Sequence, residues 1–167
     1  MELKKLLREL LDREAEASRK AIERVPEGRN TWKPHARSME LGYLAALVAT
    51  MPGWVAFMIN LDELDLNANG GAYRTKPVET RAELIAQFDA GLAASRKALE
   101  STTEEHLLKS WRLKMDDRLL FESPRYLAIA QDALSHLAHH RGQLTVYLRL
   151  NEALVPALYG PSADEVH

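Results

Sequence analysis

Hydrophobic positions recur with a helical period along most of the chain. Leucines near the N-terminus lie three or four residues apart, and the period continues weakly to Val25, where Pro26-Glu-Gly28 ends it. This pattern predicts a first helix near residues 2–25. A second helical period follows Ser38, whose side chain can cap a helix near residues 39–62.

Prolines, glycines and cap residues divide the middle of the chain. Pro52-Gly53 lies inside the second predicted helix and should kink or interrupt it, because proline removes a backbone donor and clashes with the previous turn. The stretch 67–78 is rich in turn-forming residues and is predicted to be a loop. Thr80 and Glu83 have the spacing of a capping box, which predicts a third helix near residues 81–100.

The stretch 101–122 does not show one clear period. Residues 102–108 fit one or two helical turns, whereas Trp111-Arg-Leu-Lys-Met115 alternates like a short extended segment. Ser123-Pro124 has the pattern of an N-cap serine followed by proline at the first helical position. It predicts a fourth helix near residues 124–150. Four amphipathic helices with one long crossover connection predict an all-α fold, a four-helix bundle.

Length, charge and composition limit the class of protein. A chain of 167 residues predicts one domain, 1–167, with an extended C-terminal tail at 151–167. Lys and Arg number 22 against 24 Asp and Glu, with no basic block, so we expect no nucleic-acid partner. The absence of cysteine excludes disulfides and thiolate ligands. We see no segment as apolar as a membrane span, which predicts a cytoplasmic protein without a membrane partner.

His136 and His140 are the strongest candidates for chemistry. Residues four apart stand on the same side of a helix, and two imidazoles can bind one zinc, nickel, copper or iron(II) ion. The spacing alone is not specific, because a polar stripe or a hydrogen-bonded core pair also produces it. Asp132, Gln143 and Tyr147 fall on the same stripe. The stripe borders the apolar face, where a helical bundle builds a metal or ligand site.

Arg141 falls in the middle of the apolar arc of the fourth predicted helix. A buried guanidinium needs partners, because an unpaired one costs several kcal/mol. Three arrangements are open at this point. The side chain can reach the end of the bundle, pair with a carboxylate in the core, or face a second subunit.

Several segments resemble the DinB superfamily, the damage-inducible proteins built as four-helix bundles. The resemblance covers nearly the whole chain in order, and it implies a homodimer with a divalent metal, commonly nickel or zinc, bound by three histidines at one end of the core. The segments that carry it are Trp32-Lys-Pro-His35, Ser38-Met-Glu-Leu-Gly42, Met51-Pro-Gly-Trp54, Glu83-Leu-Ile-Ala-Gln-Phe-Asp89, the run from His136 to Arg149 and the tail Tyr159-Gly-Pro-Ser-Ala-Asp-Glu165.

The resemblance implies that His136 and His140 are two of the three metal ligands. The third would lie in the second helix, at a position that Leu47 occupies here, and leucine has no lone pair. Asp132 and His35 are alternatives, although Asp132 would place all three ligands on one helix and His35 lies in a loop. We therefore predict an incomplete site, with nickel or zinc weakly bound or absent.

Two classes of function follow from the resemblance. In the first, a metal-dependent enzyme transfers a low-molecular-weight thiol, because a metal lowers the pKa of a bound thiol or water. Gln143, Tyr147 and Trp54 would then line its pocket, although Trp54 fits equally well as a core aromatic. In the second, the dimer binds a small molecule without catalysis or serves a stress-associated role. Leu47 favours the second class.

Overall fold

The computed structural model describes residues 2–166. The fold is mostly helical, and a small three-stranded sheet accompanies the helices. The helices are α1 (Leu3–Ile22), α2 (Leu41–Thr50), α3 (Trp54–Asn60), α4 (Ala68–Gly71), α5 (Arg81–Ser101), α6 (Glu104–Leu108), α7 (Arg125–Ala128) and α8 (His136–Leu150), and the strands are β1 (Glu63–Asp65), β2 (Ser110–Met115) and β3 (Arg118–Pro124).

The first predicted helix is confirmed as α1, which ends at Ile22 ahead of Pro26. A residue distant in sequence caps its first turn. The carboxylate of Glu104, in α6, accepts hydrogen bonds from the backbone N–H groups of Leu3 and Lys4, both at 2.9 Å. These N–H groups have no partner within the helix, so the carboxylate satisfies them and also complements the helix dipole.

The second predicted helix is interrupted at Pro52-Gly53, where the sequence predicts an interruption. Helix α2 ends at Thr50, a 3₁₀ turn covers Met51–Gly53, and α3 begins at Trp54. The predicted cap at Ser38 is wrong, because α2 begins at Leu41 and no side chain caps it. Backbone carbonyls of the preceding loop take that role, and the carbonyl of Trp32 accepts the N–H of Leu41 at 2.8 Å.

The stretch Leu41–Asn60 corrects the expectation that no segment is as apolar as a membrane span. With 20 residues and a mean hydropathy of 1.6, it is long enough and apolar enough to cross a membrane. However, 78% of its most apolar window is buried inside the protein. Burial of this kind is typical of the core helix of a soluble fold. The cytoplasmic location stays a prediction.

Helix α5 begins at the predicted capping box. The hydroxyl of Thr80 accepts the backbone N–H of Glu83 at 3.2 Å, and the Glu83 carboxylate accepts the backbone N–H of Thr80 at 2.9 Å. Farther along, α5 crosses the 3₁₀ turn with Gly91 against Gly53. A Cβ atom on either glycine would stand 3.1 Å from the Cα atom of the other. The absence of both side chains therefore permits this close crossing.

The all-α prediction is wrong, because the chain contains a sheet. The extended segment predicted at Trp111–Met115 is confirmed as part of β2, which pairs in parallel with β1 and antiparallel with β3. Strand β1 has three residues, too few for an alternating pattern to stand out, and β2 pairs with β3 through a bulge at Leu113/Lys114. Sequence periodicity therefore did not reveal either partner strand.

The fourth predicted helix is confirmed with two differences. Ser123 lies in β3 opposite Trp111, and Pro124 precedes the first helical residue, so the predicted cap at Ser123 is wrong. Between α7 and α8 the chain forms a π-helix over Ile129–Ser135. The hydroxyl of Ser135 donates to the carbonyl of Ala130, five residues earlier, at 3.0 Å. Such π-helical turns are rare and occur frequently at functional sites.

A buried arginine ties the end of α3 to the start of α7. Arg125 is fully buried, and its Nε donates to the carbonyl of Met58 at 2.6 Å. Its Nη2 donates to the carbonyl of Leu61 at 3.1 Å and to the Asp62 carboxylate at 2.8 Å. These bonds satisfy carbonyls at the end of α3 and fix its position relative to the π-helix.

Arg141 is buried as predicted, and its partners lie within the same chain. Its Nη2 pairs with the Glu14 carboxylate at 2.7 Å, and its Nη1 donates to the Ser18 hydroxyl at 3.0 Å. The hydroxyl of Tyr159, in the C-terminal tail, contacts both Arg141 and Glu14. Pairing with a core carboxylate is thus the arrangement found, and Arg141 gives no reason to expect a second subunit.

Candidate ligand-binding cavity

A cavity of about 300 Å³ lies between α3, the sheet and the π-helix. Its wall is almost entirely aromatic and aliphatic, and Asp132 and His136 add a carboxylate and an imidazole to it. Its volume is at the lower end of the range for small-molecule pockets. The lining residues are Trp54, Phe57, Met58, Leu64, Leu66, Tyr73, Trp111, Leu113, Phe121, Asp132 and His136.

The sheet forms one wall of this cavity because its strands pair in a fixed register. Leu64 on β1 pairs with Leu113 on β2, and Leu113 pairs with Phe121 on β3, so these three side chains form one cross-strand row. Trp111 lies two residues before Leu113 and therefore points to the same face. The Trp111 and Phe121 rings stand 5.7 Å apart.

A second wall comes from α3 and the loop after α4. Helix α3 starts immediately after the 3₁₀ turn, and it contributes Trp54, Phe57 and Met58 to the lining. Phe57 meets Tyr73 edge to face, with ring centroids 5.4 Å apart. Trp54 meets the imidazole of His136 in the same way at 5.9 Å, so His136 stands where the apolar wall reaches α8.

Asp132 is a half-buried carboxylate on the π-helix and lines the cavity. Among residues 2–166, no hydrogen-bond donor contacts its carboxylate. Burial raises the pKa of Asp132 above the ordinary value, and the nearby His136 opposes that shift. The carboxylate is therefore incompletely solvated and lacks a strong partner from the protein.

His136 and His140 form a hydrogen-bonded pair, with their Nε2 atoms 2.9 Å apart. The Nδ1 of His140 lies 2.8 Å from the Oε1 of Gln143, and since that oxygen accepts, Nδ1 carries the proton. The neutral His140 then accepts through Nε2, and His136 donates. Burial lowers the pKa of His140, a shift that the bond to Gln143 opposes, so the neutral form of His140 is favoured.

This pair meets only part of the requirement for a three-histidine metal site. The bond from His140 to Gln143 is the kind that orients an imidazole for metal binding. Leu47 in α2, at the position where the resemblance implies a third histidine, offers only hydrocarbon and is 8% exposed. Across residues 2–166 no three side chains of the types His, Cys, Asp and Glu are grouped to hold a metal. The residues therefore do not fit the full site.

Neither alternative third ligand completes the set. His35 is exposed in the loop before α2, and its Nδ1 accepts the backbone N–H of Arg37 at 3.1 Å. Asp132 is close enough to influence His136, but these two and His140 are not arranged as a metal-binding group. The three lie along one continuous helical segment, which cannot easily surround an ion.

The structure brings three of the predicted pocket residues, Trp54, Asp132 and His136, to the cavity. Leu47, Gln143 and Tyr147 are not among the lining residues. Gln143 and Tyr147 lie well beyond the cavity, because seven and eleven residues of helix separate them from His136 by roughly 10 and 16 Å. The Tyr147 hydroxyl donates instead to a backbone carbonyl ahead of α2, at 3.1 Å.

Sequence reasoning missed most of the aromatic wall. Alternation in β2 was a usable signal, because it places Trp111 and Leu113 on one face of an extended segment. Phe121 could be added only after recognising β3 as the partner of β2. No local pattern placed Tyr73 against Phe57, since Tyr73 lies in the loop after the short α4.

Comparison with known proteins identifies the fold. No protein-family model and no curated protein matches the chain. Among solved structures, the DinB-like protein YjoA from Bacillus subtilis matches with a TM-score of 0.66 at 19% identity, covering 90% of this chain and 95% of its own. A DinB-like protein from Bacillus cereus matches with a TM-score of 0.66 at 19% identity, covering 87% and 91%. The chain therefore has a DinB-like fold, and the resemblance is confirmed at that level.

Proposed function

We propose that this protein binds a small, largely apolar organic molecule in the cavity between α3, the sheet and the π-helix. The observation that carries the proposal is the lining itself, a nearly continuous apolar wall with Asp132 and His136 at one part of it. Small-molecule sites commonly combine an apolar wall with a few polar groups that fix the ligand's orientation.

Binding of this kind does not depend on a tightly held metal. The thiol-transferase alternative needs a metal with an open position, and His136 and His140 supply only two nitrogen ligands for it. Leu47 contributes none. Metal-dependent transfer therefore rests on the resemblance alone, whereas ligand binding rests on the shape and chemistry of the cavity.

A calorimetric titration with naphthylmethanol tests the proposal. The probe has a flat apolar body and one hydroxyl, and we expect saturable binding to the natural chain. Leu66→Trp should fill part of the cavity and weaken binding by at least about tenfold, or roughly 1.4 kcal/mol. The control Leu119→Trp adds the same ring at a strand position that is 49% exposed, and it should leave the affinity unchanged.

Two results would contradict the proposal. The first is the absence of saturable heat from the natural chain with any neutral probe of this size. The second is equal binding by the Leu66→Trp and Leu119→Trp variants when both retain the natural circular dichroism spectrum. Equal binding would place the probe elsewhere on the protein.

We also propose that the long helices form a four-helix bundle and that two copies form a homodimer. Val146, Leu150 and Leu154, on and just after α8, are each more than half exposed. Val146 and Leu150 are four residues apart and share one helix face. Light scattering should show a dimer for the natural chain and a monomer for Val146→Lys/Leu150→Lys. A natural chain that is monomeric at micromolar concentration would contradict the assembly.

A further inference from the structure

Asp132 lies in a mostly apolar wall, where His136 acts on it electrostatically but forms no hydrogen bond with it. Neither lysine nor arginine is among the residues that line the described cavity, and no donor among residues 2–166 bonds to the carboxylate. Removing a carboxylate from water is unfavourable unless a counter-charge or hydrogen bonds replace the lost hydration. A ligand cation would supply that counter-charge and would be held by a charge-assisted hydrogen bond.

The aromatic side chains that line the same cavity have the same electrostatic preference. Ring faces carry partial negative charge and attract cations, and the attraction grows when the cation is desolvated. The same faces disfavour anions. Five aromatic side chains contribute to the lining: Trp54, Phe57, Tyr73, Trp111 and Phe121.

From this arrangement we infer that the ligand is a compact organic amine, with an apolar body against the aromatic wall and an ammonium group paired with Asp132. The inference rests on the proposed ligand-binding function and names the chemical class that the cavity selects. Carboxylates and phosphates of similar size should be rejected, because Asp132 and the ring faces both repel a negative charge.

The surrounding ionisable groups are compatible with an ammonium ligand. His136 also lines the cavity, and its Nε2–H is donated to the neutral His140. That N–H is engaged with His140, and it forms no hydrogen bond with the Asp132 carboxylate. Tyr73, the remaining ionisable side chain of the lining, contributes an aromatic ring and a hydroxyl. Asp132 is therefore the group that distinguishes a cation from a neutral ligand.

A matched pair of probes tests the inference near neutral pH. Naphthylmethylamine and naphthylmethanol share their ring and differ in the head group, ammonium against hydroxyl. The natural chain should bind the amine at least about tenfold more tightly, which corresponds to about 1.4 kcal/mol. Asp132→Asn should remove that preference, so that the variant binds the amine and the alcohol with affinities within about threefold of each other, or roughly 0.65 kcal/mol.

The control variant is Asp117→Asn, at an exposed position between β2 and β3. It changes the net charge by the same amount as Asp132→Asn, and it should keep the preference for the amine. A preference lost equally in both variants would indicate a general effect of net charge on cation binding, and it would overturn the role of Asp132.

A third probe makes the inference testable in the natural chain alone. Naphthoate carries a negative charge on the same ring, and it should bind at least about tenfold more weakly than the alcohol. If the amine binds no more tightly than the alcohol, or naphthoate binds best, the inference is wrong although the cavity still binds ligands. If none of the three probes binds, the proposed function itself is wrong.

Discussion

A Leu47→His variant should bind nickel or zinc at least about two orders of magnitude more tightly than the natural chain. The natural chain offers His136 and His140, whose Nε2 atoms are hydrogen-bonded to each other, and the third place implied by the DinB resemblance holds a buried leucine. Helix α2, which carries Leu47, packs against α8, which carries both histidines. One added imidazole should therefore convert a two-nitrogen pair into a three-nitrogen site.

The measurement is a competition titration with a metal-binding dye, on protein prepared without a histidine tag. The natural chain should retain well below one metal per chain after exhaustive dialysis. Adding His140→Ala to Leu47→His should abolish the gain, because it removes a ligand of the new site. Stoichiometric, chelator-resistant metal in the natural chain would contradict this prediction and would favour the enzyme alternative.

Gly91→Ala should destabilise the protein by about 1–3 kcal/mol, the usual cost of overpacking a rigid contact. A Cβ at Gly91 would stand 3.1 Å from the Cα and 3.2 Å from the N of Gly53. Both are backbone atoms and cannot rotate away, so α5 and the 3₁₀ turn would have to separate. Alanine's better helix propensity, about 1 kcal/mol, should offset only part of this cost.

The matched control is Gly142→Ala, also in a helix interior. A Cβ at Gly142 would meet no atom within 4 Å, so the substitution should stabilise the protein by roughly 0.5–1 kcal/mol. Urea unfolding of the two variants should therefore give shifts of opposite sign in the free energy of unfolding. Stabilisation by both substitutions would contradict the close crossing of α5 over the 3₁₀ turn.

The helices were predictable where local signals act alone. The capping box of Thr80 and Glu83 marks the start of α5, and Pro52-Gly53 marks the break between α2 and α3. Each signal depends on backbone chemistry within a few residues, so distant parts of the chain do not alter it. The same reasoning failed at Ser123, because pairing with β2 places that residue in a strand instead of a cap.

The sheet and the π-helix depend on contacts that no short pattern contains. Strand β1 is three residues long and pairs with a strand nearly fifty residues away. The π-helix at Ile129–Ser135 has no composition that distinguishes it from an α-helix, so the sequence predicted a continuous α-helix there. A helical wheel with one constant angle per residue nevertheless placed Asp132 and His136 on one stripe, and both line the cavity.

The candidate site was predictable only at its helical part. Trp54, Asp132 and His136 were identified from helices and line the cavity, whereas the residues contributed by the sheet were not identified. Leu47, Gln143 and Tyr147 were placed in a pocket centred on a metal. The cavity lies instead toward the sheet, and its position could not be inferred before the sheet itself was known.

Site-resolved NMR of the tryptophan indole groups tests the central claim, ligand binding in this cavity, most directly. The chain has three tryptophans, of which Trp54 and Trp111 line the cavity, while Trp32 packs against Tyr147. Titration with naphthylmethanol should shift the indole N–H signals of Trp54 and Trp111, and leave that of Trp32 in place. Single tryptophan-to-phenylalanine variants assign the three signals. Saturation that moves only the Trp32 signal, or none of the three, would contradict binding in the cavity.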